Sequence, residues 1–231
     1  LSLEADLRHA LDSDQLALAY QPKVDIASGT ICGAEALLRW QHPDRGLVSP
    51  VEFIPVAEES GLIHQIGDRV VDLACRQIRL WLDAGIDPFR IALNISSSQF
   101  SRKHFVEDLA GTLAQHGIDG QRIVIEITES LIMDNIQGHL KTLKTLRSLG
   151  IELSVDDFGT GYSSLAYLKR LPLHELKIDR SFLTTINTDD DSAAIVTAIV
   201  SMGHQLGLKI VAEGVETRQQ LEFLRTHHCD T

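Results

Sequence analysis

Short β-branched segments alternate with longer amphipathic segments along most of the chain, and this alternation limits the possible folds more than any other feature of the sequence. The predicted strands are 90–96, 122–128, 151–156, 175–179 and 208–213. The predicted helices are 68–84, 104–116, 136–149 and 192–206. Repeated strand–helix units of this kind predict a parallel sheet, either closed as a barrel or open and doubly wound. No G-x-G-x-x-G follows the first strand, which disfavours a dinucleotide-binding sheet.

The beginning of the chain has a different pattern. The apolar segments "LALAYQPKVD" (16–25) and "ICGAEALLRW" (31–40) are separated only by "IASGT". Five residues are too few for a crossover between parallel strands, so we expect an antiparallel hairpin here. With 231 residues and 44% hydrophobic content, one large domain is a better expectation than two small ones.

Charge and cysteine usage exclude several classes of protein. A net charge of −11 disfavours binding to DNA or RNA polymers and to anionic membranes, because such proteins neutralise phosphates with clustered Lys and Arg. The three cysteines, at 32, 75 and 229, have no close spacing and suggest a reducing, cytoplasmic location. No apolar run reaches the length of a membrane span. The chain opens on Leu1 rather than methionine, and we expect it to be a piece of a longer protein.

Acidic or amide side chains recur at or near the ends of the predicted strands. They are Glu35, Asn94, Glu126, Asp156, Asp157, Asp179 and Glu213. In a (β/α)8 barrel these ends meet on the face that carries the chemistry. One such acid alone is more often a helix cap or a solvated loop residue, but caps use Ser and Thr as readily as Asp, so recurrence at about six elements favours a site. The two-residue period of a strand places Lys177 on the same face as Asp179.

Converging carboxylates repel one another by about 4 kcal/mol per close pair at an effective dielectric of 20. A positive group must therefore neutralise them. Divalent cations with oxygen ligands are the natural candidates.

Six motifs in this order resemble the EAL-domain cyclic-di-GMP-specific phosphodiesterase family, which takes its name from the tripeptide that is Glu35-Ala36-Leu37 here. They are "EALLRW" (35–40), "LNIS" (93–96), "EITES" (126–130), "DDFGTGYSSL" (156–165), "LKIDRSF" (176–182) and "VAEGVET" (211–217). The resemblance runs from about Tyr20 to the last residue. It implies a modified TIM (β/α)8 barrel with an antiparallel first strand. About seven strands can be counted, and by the resemblance we expect a last strand and helix that this chain lacks.

The resemblance also implies two Mg²⁺ or Mn²⁺ ions and hydrolysis of cyclic di-GMP to linear pGpG. One metal would be bound by Glu35, Asn94, Glu126 and Asp156, and the second by Asp156, Asp157 and Glu213. The residues implied as catalytic are Lys177, Glu213 and Glu129. The implied substrate contacts are Gln21, Glu35, Leu38, Arg39, Asn94 and Asp179.

By the same resemblance, Glu129 steadies a mobile loop in "DDFGTGYSSL", before a helix that we expect to start near Ser163. A homodimer and upstream regulatory domains are also implied. A phosphate-cradling role for "GTGYSS" is disfavoured because the Lys of a P-loop is missing.

Other interpretations remain open. A receptor that binds cyclic di-GMP without cleaving it is the main alternative, and the presence of every matching ligand residue together with Lys177 favours the enzyme. Lys177 could instead form a Schiff base, and an unrelated two-metal barrel hydrolase is a more remote possibility. "HHCD" (227–230) contains metal-ligand residue types but is better interpreted as the end of a helix.

Overall fold

The computed structural model describes residues 2–86, 89–160 and 168–231. The chain forms two compact units. Unit 1 consists of the segment up to Pro22 and of Gly33–Ile123, and unit 2 consists of Lys23–Cys32 and Val124–Thr231. The helix expected near Ser163, and the part of the "DDFGTGYSSL" loop from Gly161 onward, lie outside the described residues.

The first two strands form the hairpin that the short connection predicts. Strand β1 (Leu16–Val24) and strand β2 (Ile31–His42) are neighbours in the sheet and run antiparallel. In the turn, Asp25 N–H donates to Thr30 O at 2.9 Å and Gly29 N–H donates to Asp25 O at 2.8 Å. Gly29 has φ of +70°, a conformation that glycine adopts without steric cost. The predicted hairpin is confirmed.

Unit 1 surrounds β2 with short strands and helices. Its strands besides the hairpin are β3 (Gly46–Val48) and β4 (Arg90–Asn94). Its helices are α1 (Leu3–Leu11), α2 (Pro50–Glu59), α3 (Ile63–Asp83), α4 (Ser97–Phe100) and α5 (Phe105–His116), with a 3-10 turn at Gly120–Arg122. β3 pairs antiparallel with β2, and β4 pairs parallel with β2 with Glu35 opposite Ala92. Trp40 packs edge-on against Phe53, and both are fully buried.

Unit 2 is a set of parallel strands with helical connections. The strands are β5 (Ile123–Thr128, whose first residue belongs to unit 1), β6 (Glu152–Phe158), β7 (Glu175–Ile178) and β8 (Lys209–Ala212). The described helices are α6 (Glu129–Asp134), α7 (Ile136–Ser148), α8 (Arg180–Thr185), α9 (Asp190–Gln205) and α10 (Arg218–Thr226). Apolar residues in register form one buried face: Ile125 lies opposite Leu153, and Leu176 lies between Val155 and Ile210. The other face carries the polar residues of the site.

The elements predicted from the alternating pattern are all present, and their ends coincide with the predicted ones or differ by at most five residues. The largest shift is in α3, which begins at Ile63 rather than at 68. The count of about seven strands omits β3, which has only three residues.

The segment "HHCD" (227–230) lies at the end of a helix. α10 ends at Thr226 and His227 caps it, with its ring stacked on Phe223, which confirms the interpretation of this sequence as a helix end. Asp230 N–H then donates to Ile210 O of β8 at 3.2 Å. None of the helices in the described residues is long and apolar enough to cross a membrane.

Candidate active site

Three carboxylates of unit 2 converge on the ammonium of Lys177. This lysine lies on β7 and is 1% exposed. Its Nζ donates to Glu126 Oε2 at 2.7 Å and to Asp156 Oδ2 at 3.2 Å, and it also contacts the carboxylate of Glu213. The four residues come from β5, β6, β7 and the position just after β8. Since parallel strands end at the same edge of a sheet, their carboxyl ends bring these side chains together.

A second cation, the half-buried Lys23, lies beside the carboxylate of Glu126. Lys23 Nζ is 2.9 Å from Glu126 Oε1 and 2.8 Å from Glu175 Oε1. Both oxygens of Glu126 therefore accept a hydrogen bond from an ammonium group. Burial acts to raise the pKa of Glu126, but the charges of Lys177 and Lys23 outweigh it and hold that pKa below its ordinary value.

The pKa of Lys23 shows the complementary balance. Burial acts to lower it, and the charges of Glu126 and Glu175 outweigh burial and raise it.

Lys23 and Glu175 are not among the predicted site residues. Strand periodicity carries a signal for both, since Lys23 shares the parity of Gln21 in "YQPKVD" and Glu175 shares that of Lys177 in "ELKID".

A β-bulge near the end of β6 contains the two adjacent aspartates, Asp156 and Asp157. Val155 lies opposite Leu176 and Phe158 opposite Ile178, so β6 has one more residue than β7 over this stretch. Asp157 takes up the distortion with φ of +55°. Burial and the charges of Asp156 and Asp179 raise the pKa of Asp157. The bulge keeps Val155 and Phe158 buried while Asp156 reaches Lys177.

Glu129 lies at the first position of α6 and contacts the beginning of the glycine-containing loop. It is 2% exposed, and its Oε2 accepts a hydrogen bond from Gly159 N–H at 2.9 Å. Its Oε1 has no hydrogen-bond partner among the described residues. Gly159 has φ of +99°. Glu129 thus holds the backbone where the chain leaves β6, and its effect on catalysis stays a prediction.

Asp179 has a clear local function as well as its predicted substrate role. It is the N-cap of α8 and accepts hydrogen bonds from the Ser181 N–H at 2.9 Å and from the Ser181 hydroxyl. Burial opposes ionisation, but the hydrogen bonds from Ser181 outweigh burial and lower the pKa of Asp179. Asp179 is therefore a strand-end acid that does cap a helix.

Unit 1 carries the other predicted site residues. Asn94 Nδ2 donates to Glu35 Oε1 at 2.7 Å, so these two predicted ligands are in direct contact. Arg39 Nη1 donates to the backbone oxygen of Leu38 at 2.9 Å. Leu38 and Arg39 are half-buried on β2, and Gln21 is exposed on β1.

The carboxylates of unit 2 suit a divalent cation in their chemistry. Glu126, Asp156 and Glu213 offer only oxygen donors, the type that Mg²⁺ and Mn²⁺ prefer. Within the described residues, however, no group of three or more His, Cys, Asp or Glu side chains is arranged to hold a metal ion. The point on which the three carboxylates converge is taken by the Lys177 ammonium. The donor set fits a metal, and in the present arrangement lysine supplies the positive charge.

Acidic side chains gathered at the carboxyl ends of parallel strands are typical of the face of a (β/α)8 barrel that carries the functional site. The sequence profile of the EAL domain matches residues 4–231, and the chain belongs to this family. It is 51% identical over 231 residues to the bifunctional diguanylate cyclase/cyclic di-GMP phosphodiesterase MucR of Pseudomonas aeruginosa, covering 100% of this chain and 34% of MucR. It is 47% identical over 230 residues to the cyclic di-GMP phosphodiesterase NbdA of the same species, covering 100% of this chain and 29% of NbdA.

A solved structure described as the PaMucR phosphodiesterase in complex with c-di-GMP has the same fold. The TM-score is 0.96 at 51% identity, with 100% of this chain and 93% of that chain covered. This likeness confirms the predicted fold class, an α/β fold of the modified (β/α)8 barrel type with an antiparallel first strand. The chain spans about a third of the length of the curated relatives named above.

Proposed function

We propose that this domain hydrolyses one phosphodiester bond of cyclic di-GMP to give linear pGpG, using two Mg²⁺ or Mn²⁺ ions. The observation that supports this most directly is the contact of buried Lys177 with the carboxylates of Glu126, Asp156 and Glu213. The family and the likeness to a phosphodiesterase in complex with c-di-GMP make cyclic di-GMP the first substrate to test.

Each predicted residue has a role in this proposal. The metal ligands are Glu35 and Asn94 in unit 1, and Glu126, Asp156, Asp157 and Glu213 in unit 2. When bound, such ions lower the pKa of a coordinated water and bind the scissile phosphate. Lys177 contributes a fixed positive charge in a dry environment, which stabilises negative charge that develops on the reacting oxygens.

The remaining residues contact the substrate or, in the case of Glu129, position the loop after β6. Arg39 has a guanidinium that can contact a phosphate through two parallel hydrogen bonds. Gln21, Leu38 and Asp179 contribute further contacts in the proposal, with Glu35 and Asn94. Glu129 positions the backbone at Gly159, at the start of the loop.

The decisive experiment is incubation with cyclic di-GMP and Mn²⁺ or Mg²⁺, with pGpG followed by chromatography. We expect product from the wild type, and a loss of roughly two orders of magnitude or more in Glu35→Ala and Lys177→Met, the range found when a positioned charge is removed from an active site. Lys141→Met, at an exposed position of α7, is the control and should retain activity. A wild type that binds cyclic di-GMP but releases no pGpG with either metal would refute the enzyme.

A receptor that binds cyclic di-GMP without cleaving it is the second candidate. The presence of every matching ligand residue together with Lys177 favours the enzyme over this alternative. Calorimetric titration with cyclic di-GMP, followed by analysis for pGpG in the presence of Mn²⁺, separates the two functions, since the receptor should bind the nucleotide and release no product.

The homodimer, the further regulatory domains, the cytoplasmic location and the action of residues 1–231 as a single domain belong to the same proposal. Light scattering on the purified chain, with and without cyclic di-GMP, tests the homodimer directly.

A further inference from the structure

Lys23 contacts two carboxylates on strands that are separated by one other strand: Glu126 on β5 and Glu175 on β7, with β6 between them. In the register of the sheet, Glu126 of β5 lies opposite Ser154 of β6, and Ser154 lies opposite Glu175 of β7. These three side chains form one row on the same face, because neighbours in register on parallel strands point the same way. The Lys23 ammonium contacts both ends of the row, at 2.9 Å from Glu126 and 2.8 Å from Glu175.

We propose that Lys23 is a positioning residue, which holds Glu126 Oε1 and so directs Glu126 Oε2 toward Lys177, Asp156 and the rest of the carboxylate cluster. The inference rests on the proposed function, since it gives Lys23 a role in the affinity for the divalent cation. Lys23 acts through Glu126 and is not itself proposed to touch substrate or metal.

The geometry of Glu126 supports this role. Its side chain is fully buried, and each of its two oxygens contacts a different lysine. Without Lys23, both oxygens would compete for the single ammonium of Lys177, and the carboxylate could rotate. Partners that orient a ligand from behind typically change metal affinity or activity by about 10–100-fold when they are removed.

The small side chain of Ser154 leaves space for Lys23 to contact both Glu126 and Glu175. Adjacent strands lie about 4.8 Å apart, so the backbones of Glu126 and Glu175 are separated by roughly 10 Å, with Ser154 between them. Ser154 is fully buried, and its hydroxyl has no hydrogen-bond partner in the part of the chain that the structure describes. The small side chain therefore leaves room for Lys23 to contact both carboxylates, and a larger one would fill the gap.

A variant of Glu175 allows an experiment to distinguish two roles of Lys23: positioning Glu126 and neutralising Glu175. If Lys23 only neutralised Glu175, removing both charges together would restore the wild-type behaviour. If Lys23 positions Glu126, the double variant Lys23→Met/Glu175→Gln should remain impaired, because Glu126 Oε1 is still without its ammonium.

The test is calorimetric titration of the purified chain with MnCl₂, together with thermal unfolding of each variant. We expect Lys23→Met and the double variant to bind Mn²⁺ about 10–100-fold more weakly than the wild type. Lys141→Met should bind like the wild type. Wild-type affinity in a folded Lys23→Met, or recovery in the double variant, would overturn the inference while the proposed function stands.

Ser154 gives a second route if Lys23→Met does not fold. Ser154→Val should weaken Mn²⁺ binding and Ser154→Ala should not, because only valine fills the gap between Glu126 and Glu175. Equal affinities in the two Ser154 variants would also overturn the inference. A wild type that neither binds Mn²⁺ nor hydrolyses cyclic di-GMP would refute the proposed function itself, and this inference with it.

Discussion

Single residues of unit 2 show how a buried acidic cluster can exist at all. Glu126 is fully buried, and a lone carboxylate at such a position would be strongly disfavoured. Two lysines, Lys177 and Lys23, compensate it. The repulsion between strand-end acids correctly predicts that a positive group must be present, but it cannot distinguish a metal ion from lysine, because both satisfy the same electrostatic requirement.

Glu129 provides a prediction at this scale. Glu129→Ala removes the acceptor of the Gly159 N–H and should release the start of the loop after β6. We expect turnover of cyclic di-GMP to fall by at least tenfold and the affinity for Mn²⁺ to fall with it. The global fold should survive, since a hydrogen bond to a charged group contributes only about 1.5–3 kcal/mol.

The control for Glu129→Ala is Asp134→Ala, at the exposed opposite end of the same helix. Steady-state kinetics at several Mn²⁺ concentrations and circular dichroism on both variants complete the measurement. Full activity of Glu129→Ala at low Mn²⁺ would contradict the prediction.

Among the elements, β6 is the one whose sequence violates its own period. In "SVDDF", two polar residues separate the buried Val155 and Phe158, whereas a regular strand with both residues on the same face would have one. The violation corresponds to the bulge, which re-aims Asp156 at Lys177. Bulges occur preferentially beside active sites. A break in the two-residue period next to two acids is therefore a sequence signal for a bulge at a functional site.

The glycine that follows the bulge allows a prediction about this element. A Cβ at Gly159 would lie 2.9 Å from Phe182 Cε2 and 3.2 Å from Ile199 Cδ1, at a φ of +99°. Gly159→Ala should therefore lower the free energy of unfolding by about 1–3 kcal/mol from backbone strain, with the close contacts adding to it. Urea unfolding followed by fluorescence measures the change.

Gly117→Ala is the matched control for Gly159→Ala. Gly117 has φ of +63°, and among the described residues no neighbouring atom lies within 4 Å of the position that a Cβ would take, so alanine there adds backbone strain without a clash. It should cost about 1–2 kcal/mol. A Gly159→Ala variant no less stable than Gly117→Ala would show that Phe182 and Ile199 accommodate the methyl group.

Across the whole molecule, the repeated strand–helix units were predictable, including the short strands β7 and β8, whereas isolated short elements were not. Helices such as α9 and strands such as β5 repeat their pattern often enough to be recognised. The three-residue β3 and the four-residue α4 are too short to show a period. The contact of Lys23 with Glu126 joins residues 103 positions apart, and no local pattern contains the register that brings them together.

Stability in alkali depends on ionisable groups throughout the fold, and two of them, the buried Cys75 and the half-buried Tyr20, lie in unit 1. Burial, with a smaller effect of Asp72, raises the pKa of Cys75 to about 12, and burial with a smaller effect of Cys75 raises the pKa of Tyr20 to about 12. In the unfolded chain these groups ionise near pKa values of roughly 8.5 and 10. Above these values the unfolded chain loses protons that the folded chain retains, so the free energy of unfolding must fall as pH rises.

We therefore expect stability to be flat with respect to these two groups below about pH 8 and to decrease between about pH 8.5 and 12, by at most about 1.4 kcal/mol per pH unit for each group. Cys75→Ala removes one of them and should make the slope shallower, whatever it does to stability at pH 7. Cys32→Ala, at an exposed position, should keep the wild-type slope. Urea unfolding at intervals from pH 7 to 11 gives the three slopes, and the same slope in Cys75→Ala and the wild type would show that the Cys75 thiol ionises equally in the folded and unfolded chains.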